Sequence, residues 1–410
     1  MTTPRFSGAR SGAGLLLLAV LLCALNLRAA ITALPPVVGD VSAELGLTAG
    51  QVGLLTGVPV LCFAVATPAA SGALGRWGVS RCGTVALVAI AVGSLVRSVD
   101  GFAVALAGTV LIGLGITIGN VTLPFLIGRD FPSAVAMVTG LYTAALNVGT
   151  TLTTSLTAPL AGLTGWRFAI ASWSLLAVVA LAVWWRAFAR RPAPEVPPPP
   201  AAGTPSSPPP QQGERSVLRL GITWLLAATF ATQAFSFYGV TAWLPTLLRD
   251  TVGIPADSAG GAAAVFQVFA IVGGVGVPLA LARRASIRAV ALTMSAFWLT
   301  LPIGLLLRPE SWAWWASIAG ISQGGMFAVI FTLVAWRAPS QSASRRTSAT
   351  VQTIGYSVAA LAPPLLGVVH TGTDGWTAPL VVVLCALLAM TGCVAVASAA
   401  PSARGREKPA

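Results

Sequence analysis

Apolar runs of about 20 residues follow one another from Leu15 almost to Ala400, and each is long enough, at ~1.5 Å per helical residue, to cross a hydrocarbon core roughly 30 Å thick. That repetition constrains the chain more than any other feature, because a backbone in lipid must satisfy its own hydrogen bonds. Charged residues are only 9% of the chain, where soluble proteins carry roughly 25%. No stretch between the runs is long enough for a sizeable soluble domain.

Breakers and polar residues divide the runs into segments near 14–38, 49–74, 82–98, 102–127, 133–161 and 165–187, then 217–247, 257–282, 287–307, 311–336, 347–369 and 375–398. The expected fold class is therefore an all-α membrane protein of twelve transmembrane helices. The basic residues test the count, since Lys and Arg collect in the cytoplasmic loops. With the N-terminus inside, Arg5, Arg10, Arg76, Arg81, Arg129, Arg186, Arg190, Arg191, Arg215, Arg219, Arg283, Arg284, Arg288, Arg337, Arg345, Arg346, Arg404, Arg406 and Lys408 fall on the cytoplasmic side. Only Arg97, Arg167, Arg249 and Arg308 fall outside, and Arg28 lies within a span. A miscount by one helix would scramble this partition. It implies a multi-pass protein of a bacterial-type inner membrane with both termini cytoplasmic. It also explains the excess of 24 Lys and Arg over 11 Asp and Glu without nucleic acid.

Arg5 and Arg10 before the run Leu15–Leu25 look superficially like a signal peptide. The apolar run continues through Arg28 to Val38, however, and Leu21 and Leu22 precede Cys23 where a cleavage site needs small residues, so a first membrane helix is expected. The five cysteines show no C-x-x-C spacing, which predicts neither disulfides nor a metal site.

Between the sixth and seventh segments lies a proline-rich tract beginning at Glu195, a composition that forms no packed core and reads as a semi-extended linker. It divides the chain into an N-terminal six-helix half (1–187), a linker (188–216), a C-terminal six-helix half (217–399) and a tail (400–410). A faint repeat crosses the division. Thr32 to Pro35 ends the first segment as Thr241 to Pro245 ends the seventh, and the Gly115 and Gly119 pair has a counterpart in Gly320 and Gly324. Two related halves about a central site are the architecture of an alternating-access carrier.

The stretch from Gly72 to Arg81 resembles the cytoplasmic loop signature of the major facilitator superfamily, with Arg76, Gly78 and Arg81 matching and Gly75 replacing the usual acidic residue. Four further stretches, from Asn26 to Thr32, Gly119 to Pro132, Phe235 to Pro245 and Gln323 to Phe327, resemble the cyanate/nitroimidazole permease branch of that family. The resemblance covers the chain except its termini and linker. It implies a secondary carrier that moves a small, compact solute by alternating access, with no cofactor, and a conformational role for Gly72, Arg76, Gly78, Arg81, Arg129 and Asp130.

No Asp or Glu falls inside the twelve spans, Asp257 standing at the end of one, so proton coupling through a buried carboxylate would need Asp130 at the inner end of the fourth segment, or a proton carried by the solute; Asp130 reads first as a partner of Arg129. Arg28 is the one ionisable side chain deep in a span. A charge there costs about 2.5–3.5 kcal/mol on insertion scales unless it meets a wet cavity or a partner. An anionic or strongly polar solute is one such partner; the competing reading has Arg28 capping backbone carbonyls near Pro35 and Pro36, or snorkelling. Asn26 points about 200° away from it, so Arg28 rather than Asn26 is expected to face the cavity. Asn120, Tyr142, Gln233, Tyr238, Gln323, Gln352 and Tyr356 complete the candidate binding wall, with hydrogen bonding between helices the alternative for each glutamine. Trp243 reads as part of an interfacial aromatic belt and His370 as an exposed loop residue. The spans hold none of the nucleophile–base pairs, metal clusters or paired carboxylates that an enzyme would need. A multidrug-type efflux carrier and a membrane sensor without transport are the rival functions; solute, lipid and protons as coupling ion are the expected partners.

Overall fold

The computed structural model describes residues 7–132, 134–189, 220–337 and 341–399. The expected linker falls almost entirely outside them, as does the 400–410 tail. The described chain is built of α1 (Ser7–Thr32), α2 (Val38–Leu45), α3 (Ala49–Arg97), α4 (Phe102–Asp130), α5 (Val135–Thr164), α6 (Trp166–Ser172), α7 (Ser174–Ala189), α8 (Gly221–Val252), α9 (Ala256–Ala282), α10 (Ile287–Leu307), α11 (Trp312–Arg337), α12 (Gln341–Ala359), α13 (Ala362–Thr373) and α14 (Thr377–Ala399), and it contains no strand among the described residues.

Nine helical stretches among the described residues are long and apolar enough to cross a membrane. One of them, α3, covers two expected segments. Gly78 interrupts it with φ 74°, a positive-φ conformation open to glycine, so α3 is two helices meeting at a corner and the expected loop from Gly72 to Arg81 shortens to that corner. Two other expected segments, α5 and α8, have 30 and 32 residues but lie outside those nine. The polarity of α5 comes from a run of threonines, of which Thr150, Thr153, Thr154 and Thr157 are buried.

Prolines set the other departures from the expected bounds. The first segment stops at Thr32, short of the expected 38, and the chain turns through a 3₁₀ turn at Pro35–Val37 before α2. Pro35 and Pro36 remove two successive N–H donors, and their rings crowd the carbonyls four residues back. The eleventh segment breaks the same way. Pro363 and Pro364 leave the carbonyls of Ala359 and Ala360 without i+4 donors, and the chain kinks between α12 and α13. Single prolines such as Pro59, Pro124 and Pro245 stay inside unbroken helices. The start of α3 is fixed by a capping box in which the Thr48 hydroxyl accepts from Gln51 N and Gln51 Oε1 accepts from Thr48 N.

Before the linker α1 packs on α5 and α7, and α3 on α4; after it α8 packs on α12 and α14, and α9 on α11. The two groups meet through α5 against α9 and through α3 against α12 and α13. Small residues permit the closest approaches. A methyl group at Gly53 would overlap the Pro364 backbone, one at Gly57 would overlap the Ala360 carbonyl, and one at Gly260 would overlap the Thr154 carbonyl. All three contacts lie toward one end of the bundle, the end that carries Glu44, Asp100 and Asp250, and they close it.

Candidate solute-binding cavity

Below that seal, α1, α3, α4, α5, α8, α9, α11 and α12 surround a cavity of about 360 Å³, at the small end of the ~300–1,000 Å³ usual for ligand pockets. Its mouth can be read from exposure along the lining helices. Thr117 is buried and Pro124 exposed on α4; Thr150 is buried and Thr143 exposed on α5; Gln323 is half-buried and Phe327 exposed on α11. The cavity therefore widens toward the end that carries Arg129 and Arg337, opposite the seal.

Arg28, Asn120, Tyr142, Tyr238, Gln323, Gln352 and Tyr356 all line it. The chain has only three tyrosines, and all three are here. The Arg28 guanidinium stands over the rings of Phe237 and Tyr238, with 5.4 and 5.8 Å to the centroids, contacts worth about 0.5–2 kcal/mol to a cation. Tyr356 is held edge-on by Phe63 at 5.5 Å, Phe230 at 5.3 Å and Tyr238 at 6.5 Å, which makes the wall beside Arg28 aromatic and stiff. Among the described residues no acidic side chain lines the cavity and no ion pair involves Arg28. The Tyr238 hydroxyl lies within reach of the Arg28 guanidinium, and the buried Gln323 Oε1 has no hydrogen-bond partner among the described residues. The arrangement thus offers a cation, a phenol and amides to one small polar guest.

Asn26 turns away as its position on α1 requires, donating to the carbonyls of Leu22 at 2.8 Å and Leu176 at 3.3 Å. Gln233 is a correction. It is absent from the cavity wall and buried in the helix packing, where its Oε1 accepts from Trp298 Nε1 at 2.5 Å. Trp243 is also corrected: it is buried and donates to the Pro363 carbonyl at 2.8 Å, so it joins α8 to the broken eleventh segment. His370 is in the last turn of α13, stacked on Trp376 at 4.1 Å. The residues expected to have a conformational role lie elsewhere from the cavity. Gly72, Arg76, Gly78 and Arg81 are exposed around the α3 corner, and Arg129 pairs with Asp130 at 2.8 Å at the end of α4.

Sequence reasoning passed over Asn147, Thr150 and Phe237 as cavity residues. Asn147 carried the same signal as Asn120, an amide between apolar neighbours. Gln267 donates to Thr241 at 3.2 Å and still reaches the wall.

A family model described as Major Facilitator Superfamily matches residues 16–363. An uncharacterized transporter of Bacillus subtilis (strain 168), YycB, is 31% identical over 379 residues, covering 92% of this chain and 91% of its own. The 2-nitroimidazole transporter of Escherichia coli (strain K12) is 29% identical over 381 residues, covering 92% of this chain and 94% of its own. The cyanate transport protein CynX of Escherichia coli (strain K12) is 28% identical over 370 residues, covering 87% and 90%. Among solved structures, a D-xylose–proton symporter superposes with a TM-score of 0.74 at 15% identity, over 96% of this chain and 99% of its own; at that identity the likeness speaks for the fold.

Proposed function

Because the chain belongs to the major facilitator superfamily, we propose that it is a secondary carrier in which two six-helix halves rock about the Arg28 cavity and pass a small anion, or a solute with strongly negative oxygens, across the inner membrane. The observation that carries this reading is an arginine facing a cavity without any acidic lining residue. Relatives named for cyanate and 2-nitroimidazole support it chemically. Cyanate is a small anion and 2-nitroimidazole a flat ring with a nitro group; both suit a guanidinium flanked by aromatic rings, with amides to orient the guest. A cavity of about 360 Å³ favours such compact solutes over the range a multidrug carrier accepts.

The positive-inside rule supports cytoplasmic termini, and the cavity then opens to the cytoplasm while the glycine seal closes the outside. Export of an anion runs with a negative-inside potential, by about 2.3 kcal/mol per charge per 100 mV; uptake must draw on a gradient. The test is thermal stabilisation of the purified protein by cyanate, 2-nitroimidazole and small carboxylates, repeated with Arg28→Gln. We expect stabilisation by small anions that the substitution abolishes. Equal stabilisation of both proteins, or stabilisation by uncharged solutes alone, refutes an anion site at Arg28.

A further inference from the structure

Among the described residues Arg28 is the only formal charge in the cavity lining. It faces the rings of Phe237 and Tyr238 and the Tyr238 hydroxyl, and the titratable groups in the wall besides it are Tyr142, Tyr238 and Tyr356, phenols that are neutral near pH 7. Asp130 is engaged by Arg129 and is not part of the lining. A carrier changes face only through a state closed at both ends, and closure strips water from whatever the cavity holds. With a monoanion on Arg28 the closed cavity is neutral overall. Without one, a bare guanidinium must be enclosed in a low-dielectric space, a cost that two flanking rings offset only in part. The empty carrier therefore returns slowly and the loaded one quickly.

From this asymmetry we infer that the protein is an anion exchanger: a small anion must occupy Arg28 on the return leg, so each anion carried one way is matched by another carried back. The inference rests on the assignment of Arg28 as the solute-binding group, and it adds the energetics of the cycle. Charge balances, since one monoanion crossing each way moves no net charge, and no protein group has to gain or lose a proton.

The experiment uses the full chain in vesicles loaded with radiolabelled cyanate, with protein-free vesicles as the blank, diluted into buffers of unlabelled cyanate, formate or the bulky anion gluconate. Exchange predicts protein-dependent efflux at least ~10-fold faster into cyanate or formate than into gluconate, with a rate unchanged by an imposed potential of either sign. Arg28→Lys retains the charge and is expected to keep the stimulation; Arg28→Gln is expected to lose it. Protein-dependent efflux equally fast into gluconate, or a rate that follows the potential, overturns exchange while leaving the carrier reading intact. No protein-dependent cyanate flux in any buffer overturns both.

Discussion

Substituting Gly57 by alanine tests the seal directly. Its added methyl group would overlap the Ala360 carbonyl across the interface between the two groups of helices, an oxygen left without its i+4 donor by Pro364. Gly→Ala within a helix gains about 1 kcal/mol in propensity, but that gain is equal in the sealed and opened states and cancels between them. What does not cancel is the overlap, which exists only while the seal is closed. Overpacking of this kind costs about 1–3 kcal/mol, and at about 1.4 kcal/mol per tenfold change it should, under the proposed rocking mechanism, shift the population toward the state opened at this end by roughly 5- to 150-fold. The readout is labelling of a Thr154→Cys reporter, which is buried against Gly260 in the seal, by a membrane-impermeant maleimide in a background lacking the five native cysteines. Gly324→Ala is the control. Its methyl group would overlap the Ala270 carbonyl between α11 and α9, within one half, so it should lower thermal stability without raising labelling. If Gly57→Ala and the larger Gly57→Val both leave labelling unchanged, or if Gly324→Ala raises it as much, the seal does not govern access and the reasoning fails.

Two further predictions concern residues whose roles the structure reassigns. Trp298→Phe removes the donor to the buried Gln233 amide, and an unsatisfied buried acceptor costs about 1–3 kcal/mol; the variant should melt several degrees lower with solute affinity unchanged, whereas a matching loss of affinity would return Gln233 to the binding wall. Asp130→Asn should leave the pH profile of transport unaltered across the near-neutral range whatever happens to its rate, because Asp130 is paired with Arg129 and lies outside the cavity lining. A profile that flattens in the variant would make Asp130 a proton relay.

The sequence made Arg28 legible because a charge in mid-span has few explanations, and lipid raises the cost of all but a wet cavity or a partner. The segments were readable for the same reason: length and apolarity are imposed by the bilayer. Their ends were harder to read, since a proline's effect depends on its neighbours. Paired prolines at Pro35–Pro36 and Pro363–Pro364 break the chain, while Pro124 and Pro245 stay helical. Gln233 misled because its partner, Trp298, lies 65 residues away, a pairing that local spacing does not encode. The sealing glycines were hidden among the chain's 43 glycines; the conspicuous pairs, Gly115 with Gly119 and Gly320 with Gly324, pack helices inside each half instead.

The chemistry of the sealed end bears on how the halves can move. Arg167 reaches Glu44 at 2.9 Å and Asp100 at 3.1 Å, and Trp166 donates to Glu44, all before the linker. After it, Trp376 donates to Asp250 at 3.0 Å and Trp243 to the Pro363 carbonyl at 2.8 Å. These charged and indole contacts staple each half to itself. Across the seal, Gly53, Gly57 and Gly260 meet backbone, contacts held by dispersion and worth individually only ~0.1–0.2 kcal/mol per atom pair. Separating the halves at this end therefore leaves those staples intact and uncovers chiefly the Arg249 guanidinium, which packs against Gly39 across the same end. Such an interface is cheap to open, and under the proposed rocking mechanism the charge left behind on Arg28 is then expected to set the speed of the cycle, as the exchange experiment measures.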